Sequence, residues 1–147
     1  MTKRVLIVED EIFVALEIED IVTSAGLAVS AIAADSAAAL SAAPLSDIAL
    51  VDLNLRDGPT GPGIGQRLAR EYGITVIYVT ANPSQIGRAA EAALGVVTKP
   101  FSGQTIEAAL AIAAAANDDR PRDFSAISGF MPFPSAYGAS RGSEQTG

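Results

Sequence analysis

Val5-Leu6-Ile7-Val8-Glu9-Asp10-Glu11 runs four branched apolar residues directly into three acids. The apolar half does not alternate with polar side chains, so neither of its faces is patterned for water. A short run of this kind suits a strand covered on both sides, as in a parallel sheet flanked by helices. The acids would then stand at the carboxyl end of that strand. The arrangement recurs downstream. Ile48-Ala49-Leu50-Val51 runs into Asp52, Val76-Ile77-Tyr78-Val79 into Thr80, and the weaker Val96-Val97 is followed by Lys99-Pro100. Residues 27–33 form a second weaker run, which makes five strands in all.

Helical patterns fill the intervals. Residues 12–25 carry Leu16, Ile18, Ile21, Val22 and Ala25, and end at Gly26, a C-terminal stop. Asp35 or Ser36 caps a short helix through Leu40. Residues 65–72 form a third, with Leu68 and Ala69 apolar, and residues 84–93 a fourth after Pro83. Residues 102–116 form the fifth, with Ser102 as N-cap and Ile106, Leu110 and Ile112 as packing positions. Five alternations of strand and helix predict a doubly wound α/β fold, because parallel neighbours need crossover helices of one hand. Ligands of such sheets bind beyond the carboxyl ends of the strands. Tyr78, inside a strand, reads as a packing residue.

Size and composition narrow the function. The 147 residues suit one domain, expected over residues 1–117, and a tail over 118–147 rich in Gly, Ser and Pro, with no output domain. Phe124, Phe130, Phe133 and Tyr137 place half of the chain's aromatic residues in that tail. Its segment Ser128-Gly129-Phe130-Met131-Pro132-Phe133 is of the sort that docks in a groove or on a sheet edge. With no cysteine there is neither a disulfide nor a thiolate metal site, and with no histidine there is no imidazole base or ligand. A formal charge of -7 argues against DNA binding. No apolar run is long enough to span a bilayer and no signal peptide opens the chain, so the expected compartment is the cytoplasm.

The strand ends collect carboxylates, a hydroxyl and one ammonium. Clustered carboxylates repel one another unless a cation joins them. Oxygen ligands without His or Cys favour a hard ion, with Mg²⁺ the natural candidate. A carboxylate beside such an ion can attack phosphorus and form an acyl phosphate. The transferred group is anionic, and Thr80, Lys99 and the backbone N–H of Ala81 would supply donors and charge for its oxygens. The Asp57-Gly58-Pro59-Thr60-Gly61-Pro62-Gly63 stretch reads as a flexible loop beside the site. It lacks the Gly-Lys-Ser/Thr that a nucleotide-binding loop requires.

Taken in order, the motifs around Glu9-Asp10, Asp52-Leu53-Asn54, Thr80-Ala81 and Lys99-Pro100-Phe101 resemble the receiver domain of two-component response regulators, over about residues 3–116. The resemblance implies a flavodoxin-like sheet of order 2-1-3-4-5 flanked by five helices. It implies that Asp52 accepts a phosphoryl group from a sensor histidine kinase. Glu9, Asp10, Asp52 and the Asn54 backbone carbonyl would hold Mg²⁺, Thr80 would turn towards the phosphate, and Lys99, before a cis Pro100, would pair with it. Val96 stands where the family commonly has an aromatic, and the segment from Thr80 to Lys99 is about three residues short. Both features are similar to a divergent receiver subgroup that serves unorthodox histidine kinases in stress or light signalling. The expected protein is a phosphoacceptor and not an enzyme, signalling through altered contacts with a downstream protein or as a homodimer. Rival expectations are a phosphorylation-independent adaptor and a phosphate sink or shuttle in a phosphorelay. A Mg²⁺-dependent phosphatase ranks last, because Asn54 cannot serve as the general acid two residues after the nucleophile.

Overall fold

Every side chain of β1 (Arg4–Val8) beyond its first residue is buried, and the strand's alternation divides them between two cores. Leu6 and Val8 face one way, Val5 and Ile7 the other. The same division runs through β3 (Ile48–Val51) and β4 (Thr75–Thr80), as both-face burial requires of a central parallel strand. The computed structural model describes residues 2–120 and 128–133. Its sheet has the order β2-β1-β3-β4-β5-β6, with β2 at Ala28–Ala33 and β5 at Gly95–Thr98. The first five strands are parallel, in the expected order 2-1-3-4-5.

Helices α1 (Ile12–Ser24) and α4 (Gly103–Asn117) cover one face, through Ala15, Ile18 and Val22 and through Ile106, Ala109, Leu110 and Ala113. Helices α2 (Ser36–Ala42) and α3 (Gly61–Tyr72) cover the other, through Ala39, Ile64 and Leu68. The caps follow the sequence. Asp35 accepts from the Ala38 N–H at 2.9 Å, Ser102 accepts from the Thr105 N–H at 3.2 Å, and Gly73 closes α3 at φ 66°.

Three expectations are corrected. The fourth crossover is not an α-helix over residues 84–93 but two 3₁₀ segments, Pro83–Gln85 and Gly87–Ala92. Gly87 adopts φ 56°, a left-handed conformation that an α-helix interior cannot hold. Helix α3 starts at Gly61 rather than Gly65, so the Gly-Pro-Gly stretch is its first turn. Pro62 fits there because the N–H it lacks would have no partner in a helix's first turn. Finally, part of the tail is a strand, β6 (Phe130–Pro132), antiparallel to β5. Three residues including a proline are too few to show a period, and the proline is tolerated because β6 is an edge. Phe124 and Tyr137 lie outside the described residues.

Tyr78 is fully buried, and its hydroxyl donates to the carbonyls of Pro62 and Ala89 at 3.3 and 3.4 Å. Burial raises its pKa well above the usual phenol value. Gly65 makes room for the ring, since a Cβ there would lie 2.7 Å from Tyr78 Cε1 and Cζ and closer still to the hydroxyl. Alanine is the better helix former by about 1 kcal/mol. Overpacking a rigid core costs about 1–3 kcal/mol, and overlap with a ring that has nowhere to go puts this site at the upper end of that range. Gly65→Ala is therefore expected to lower the urea midpoint at unchanged m-value, and a raised midpoint would show that the ring is mobile.

Candidate functional site

Glu9 and Asp10 follow β1, Asp52 follows β3, Thr80 ends β4 and Lys99 follows β5, so parallel pairing delivers all of them to one rim. Glu9 is 3 % exposed and Asp52 9 %, whereas Asp10 is exposed. One carboxylate oxygen from each of Glu9, Asp10 and Asp52 can be chosen so that all three lie within 4.8 Å of one another. The Lys99 ammonium donates to Glu9 Oε1 at 2.7 Å and to Asp52 Oδ2 at 3.0 Å. The remaining oxygens are held by the backbone: Glu9 Oε2 accepts from the Glu11 N–H at 3.2 Å, and Asp52 Oδ1 from the Leu53 N–H at 2.7 Å.

Burial pushes the Glu9 carboxyl up, and the hydrogen bond and charge of Lys99 offset only part of that push. Burial alone would lower Lys99, but hydrogen bonds to Glu9 and Asp52, together with their charges, outweigh it and raise the ammonium above its ordinary value. Lys99 is thus a fixed cation and not a proton acceptor near neutral pH. Three carboxylates against one ammonium leave a formal excess of two negative charges, which a divalent cation would balance. The donors are all hard oxygens, so the residues present fit Mg²⁺.

The other expected residues stand around this core. Thr80 is buried, and its hydroxyl oxygen accepts from the Asn82 N–H at 3.1 Å, which leaves its own proton available to donate. Ala81 and Lys99 line one cleft together with Val14, Glu17, Pro100 and Phe101. The peptide bond between Lys99 and Pro100 is cis. Asn54 is exposed, and its side-chain amide donates to Gln85 Oε1 at 3.0 Å, tying the loop after β3 to the first 3₁₀ segment.

Two supports had no clear signal in the sequence. A Cβ on Gly61 would overlap the Asp52 carbonyl oxygen and the Leu53 Cα, so only glycine lets α3 approach the loop after β3. Asp57 holds the same loop to α2: it accepts from the Ser36 hydroxyl at 2.7 Å, the Ser36 N–H at 3.1 Å and the Thr60 hydroxyl at 2.6 Å. These bonds, those from Ser36 first, lower its pKa to about 2. The stability they contribute is present above the ordinary Asp pKa and is lost only as pH falls through about 2.

Residues 5–111 match the model of the response regulator receiver domain. The chain belongs to that family. Among solved structures, it is similar to the receiver domain of the PhyR response regulator of Erythrobacter litoralis, with 26 % identity and TM-score 0.69 over 86 % of this chain and 97 % of that one. It is also similar to the signal receiver domain of a modulated diguanylate cyclase from Desulfovibrio desulfuricans, at 27 % identity and TM-score 0.73, covering 80 % and 98 %. The anti-anti-sigma factor PhyR of Bartonella quintana matches at 27 % identity and TM-score 0.68, but this chain spans only 50 % of it. No curated protein matches the sequence. Among the described residues, no helix is long and apolar enough to cross a membrane.

The receiver's buried charges give a titration test in metal-free buffer. Because the folded Glu9 pKa lies above its unfolded value, the fold binds a proton more tightly there, and this contribution to stability declines as pH rises through that window. Lys99→Met removes the hydrogen bond and the charge of Lys99, two of the three causes that hold Glu9 down, and leaves the Glu11 N–H in place. The Glu9 carboxyl is therefore expected to titrate higher still by carbon-detected NMR; an unchanged or lower pKa would mean that Lys99 does not set it.

Proposed function

We propose that this receiver is a phosphoacceptor that takes a phosphoryl group from a histidine kinase onto Asp52 and signals through altered protein contacts. The observation that carries the reading is the Lys99 ammonium bonded at once to Glu9 and Asp52 at the mouth of an oxygen-only acidic cluster. In the transfer, an Asp52 carboxylate oxygen attacks phosphorus, the P–N bond of the donor phosphohistidine breaks, and the imidazole leaves with the electron pair. This stretch of chain has no histidine and so does not itself supply the donor. Lys99 remains protonated throughout and can turn from Asp52 to a phosphoryl oxygen, with the Thr80 hydroxyl and the Ala81 N–H as further donors. Glu9, Asp10 and Asp52 would hold Mg²⁺, with the Asn54 carbonyl as a further ligand, and the ion supplies charge neutralisation to an anionic transition state. Hydrolysis of the acyl phosphate returns the site to its starting state. The protein is a self-catalysing acceptor in the cytoplasm rather than an enzyme with a turned-over substrate.

Asp52→Asn is expected to abolish incorporation of label from acetyl phosphate with Mg²⁺. Incorporation at the wild-type level would overturn the acceptor assignment.

The donor's docking face is suggested by exposure. Ile12, Phe13 and Leu16, on the first turns of α1 directly after the acids, are 55 %, 83 % and 45 % exposed. Apolar side chains left in water beside a charged site fit a protein donor better than a small one. Phe13→Ala should slow transfer from a phosphorylated kinase about tenfold or more, as loss of an aromatic anchor does at interfaces. Transfer from acetyl phosphate should keep its wild-type rate. Equal slowing with both donors would place Phe13 in the chemistry and not in docking.

A further inference from the structure

The segment containing β6 does more than lengthen the sheet. Ser128 and Gly129 are adjacent, yet their carbonyls bind the chain on opposite sides of Lys99. The Thr98 N–H donates to the Gly129 carbonyl at 3.1 Å, and the Thr105 hydroxyl donates to the Ser128 carbonyl at 2.7 Å. Thr105 in turn engages the Ser102 hydroxyl, the N-cap of α4, at 2.9 Å. The stretch from β5 to α4 that presents Lys99 is therefore bracketed from outside. From inside, the Lys99 N–H is held by the Thr80 carbonyl at 2.9 Å.

The seat of β6 is built. Phe130, opposite Val97, is 8 % exposed and joins the core under α1 and α4; Phe133, also 8 % exposed, joins the core under α2 and α3. The two rings thus grip the sheet edge from both faces. The Phe133 N–H donates to the Leu94 carbonyl at 3.0 Å. Gly95 permits this approach: a Cβ there would lie 2.6 Å from the Met131 carbonyl oxygen and 2.7 Å from the Phe130 ring.

We propose that residues 128–133 are a positioning element for Lys99, a built-in clamp whose docking on β5 and α4 holds the ammonium against Glu9 and Asp52. Its consequence for phosphoryl uptake rests on the acceptor reading above, whereas the positioning itself does not. Coupling of this kind is reciprocal: whatever fixes Lys99 at the acceptor also tightens the docked strand.

The chain's two lysines make the test direct, because Lys3, paired with Asp118 beside the opposite end of β1, serves as an internal reference. The full-length protein would be acylated with a limiting amine reagent, without phosphodonor, and labelling of Lys99 measured against Lys3 by mass spectrometry. Gly95→Ala should strip hydrogen-exchange protection from the Thr98 and Phe133 amides and raise relative Lys99 labelling about fivefold or more, the low end of usual coupling. Global destabilisation would raise both lysines together and leave the ratio unchanged. Thr105→Val should raise the ratio and Thr105→Ser should restore it, and this pair decides the matter if Gly95→Ala does not fold. The proposal is overturned if the wild-type amides are unprotected. It is equally overturned if the Thr98 and Phe133 amides are freed while those of β1 and β3 stay protected and the labelling ratio keeps its wild-type value, or if the two Thr105 variants behave alike. Uptake from acetyl phosphate by the same variants is a separate arm. If the wild type takes up none, the acceptor reading fails while the labelling ratio still decides the clamp.

Discussion

A single ammonium shared by two buried carboxylates governs how this receiver is put together. Glu9 leaves β1, Asp52 leaves β3 and Lys99 leaves β5, so the three charges come from strands spread across most of the sheet. At the usual spacing β1 and β5 are about 14 Å apart. Only the two long side chains of the set, reaching from either side over Asp52, can meet across that distance. Taking Lys99 away would leave two like charges in a site that admits little water, a situation that costs several kcal/mol. The order of the strands, the burial of their faces and the loops at their carboxyl ends all serve to make that meeting possible.

Much of this was legible in the chain because the relevant signals are local. Four branched residues ending in acids mark a strand and its rim at once, and Ser102 and Asp35 announce helix starts through side-chain oxygens that need no distant partner. Asp52, Lys99 and the two acids that follow β1 are likewise ends of short motifs. What escaped reading depends on contacts made at long range. Gly61 looks like loop flexibility until α3 is seen pressing on the Asp52 carbonyl. Asp57 looks like another turn residue until Ser36 arrives from a different crossover. The fourth crossover has helical composition, but Gly87 breaks it through a dihedral that composition does not specify.

The tail illustrates the same limit in a sharper form. Its aromatic residues marked it as able to dock on a sheet edge, but nothing local says which edge. The answer lies in Gly95, a residue that is unremarkable within its own strand and becomes necessary only when Phe130 and Met131 are packed against it. Val96 is part of the same account. It is fully buried beneath the edge that β6 covers, opposite Met131, and so belongs to a packed interior and not to an exposed border of the sheet.

That placement has a bearing on how the polypeptide is made. The border of β5 is completed by residues synthesised about thirty positions later, after α4 has been made. Until those residues dock, the last of the five parallel strands shows an open row of amide and carbonyl groups flanked by Val96 and Val97. Such a border is a template for pairing with other nascent chains. Arrival of Phe130 and Phe133 closes it, and Pro132, which has no N–H to offer, helps to blunt the border that remains. Docking of β6 thus ends the period in which this edge of the sheet is exposed to mispairing.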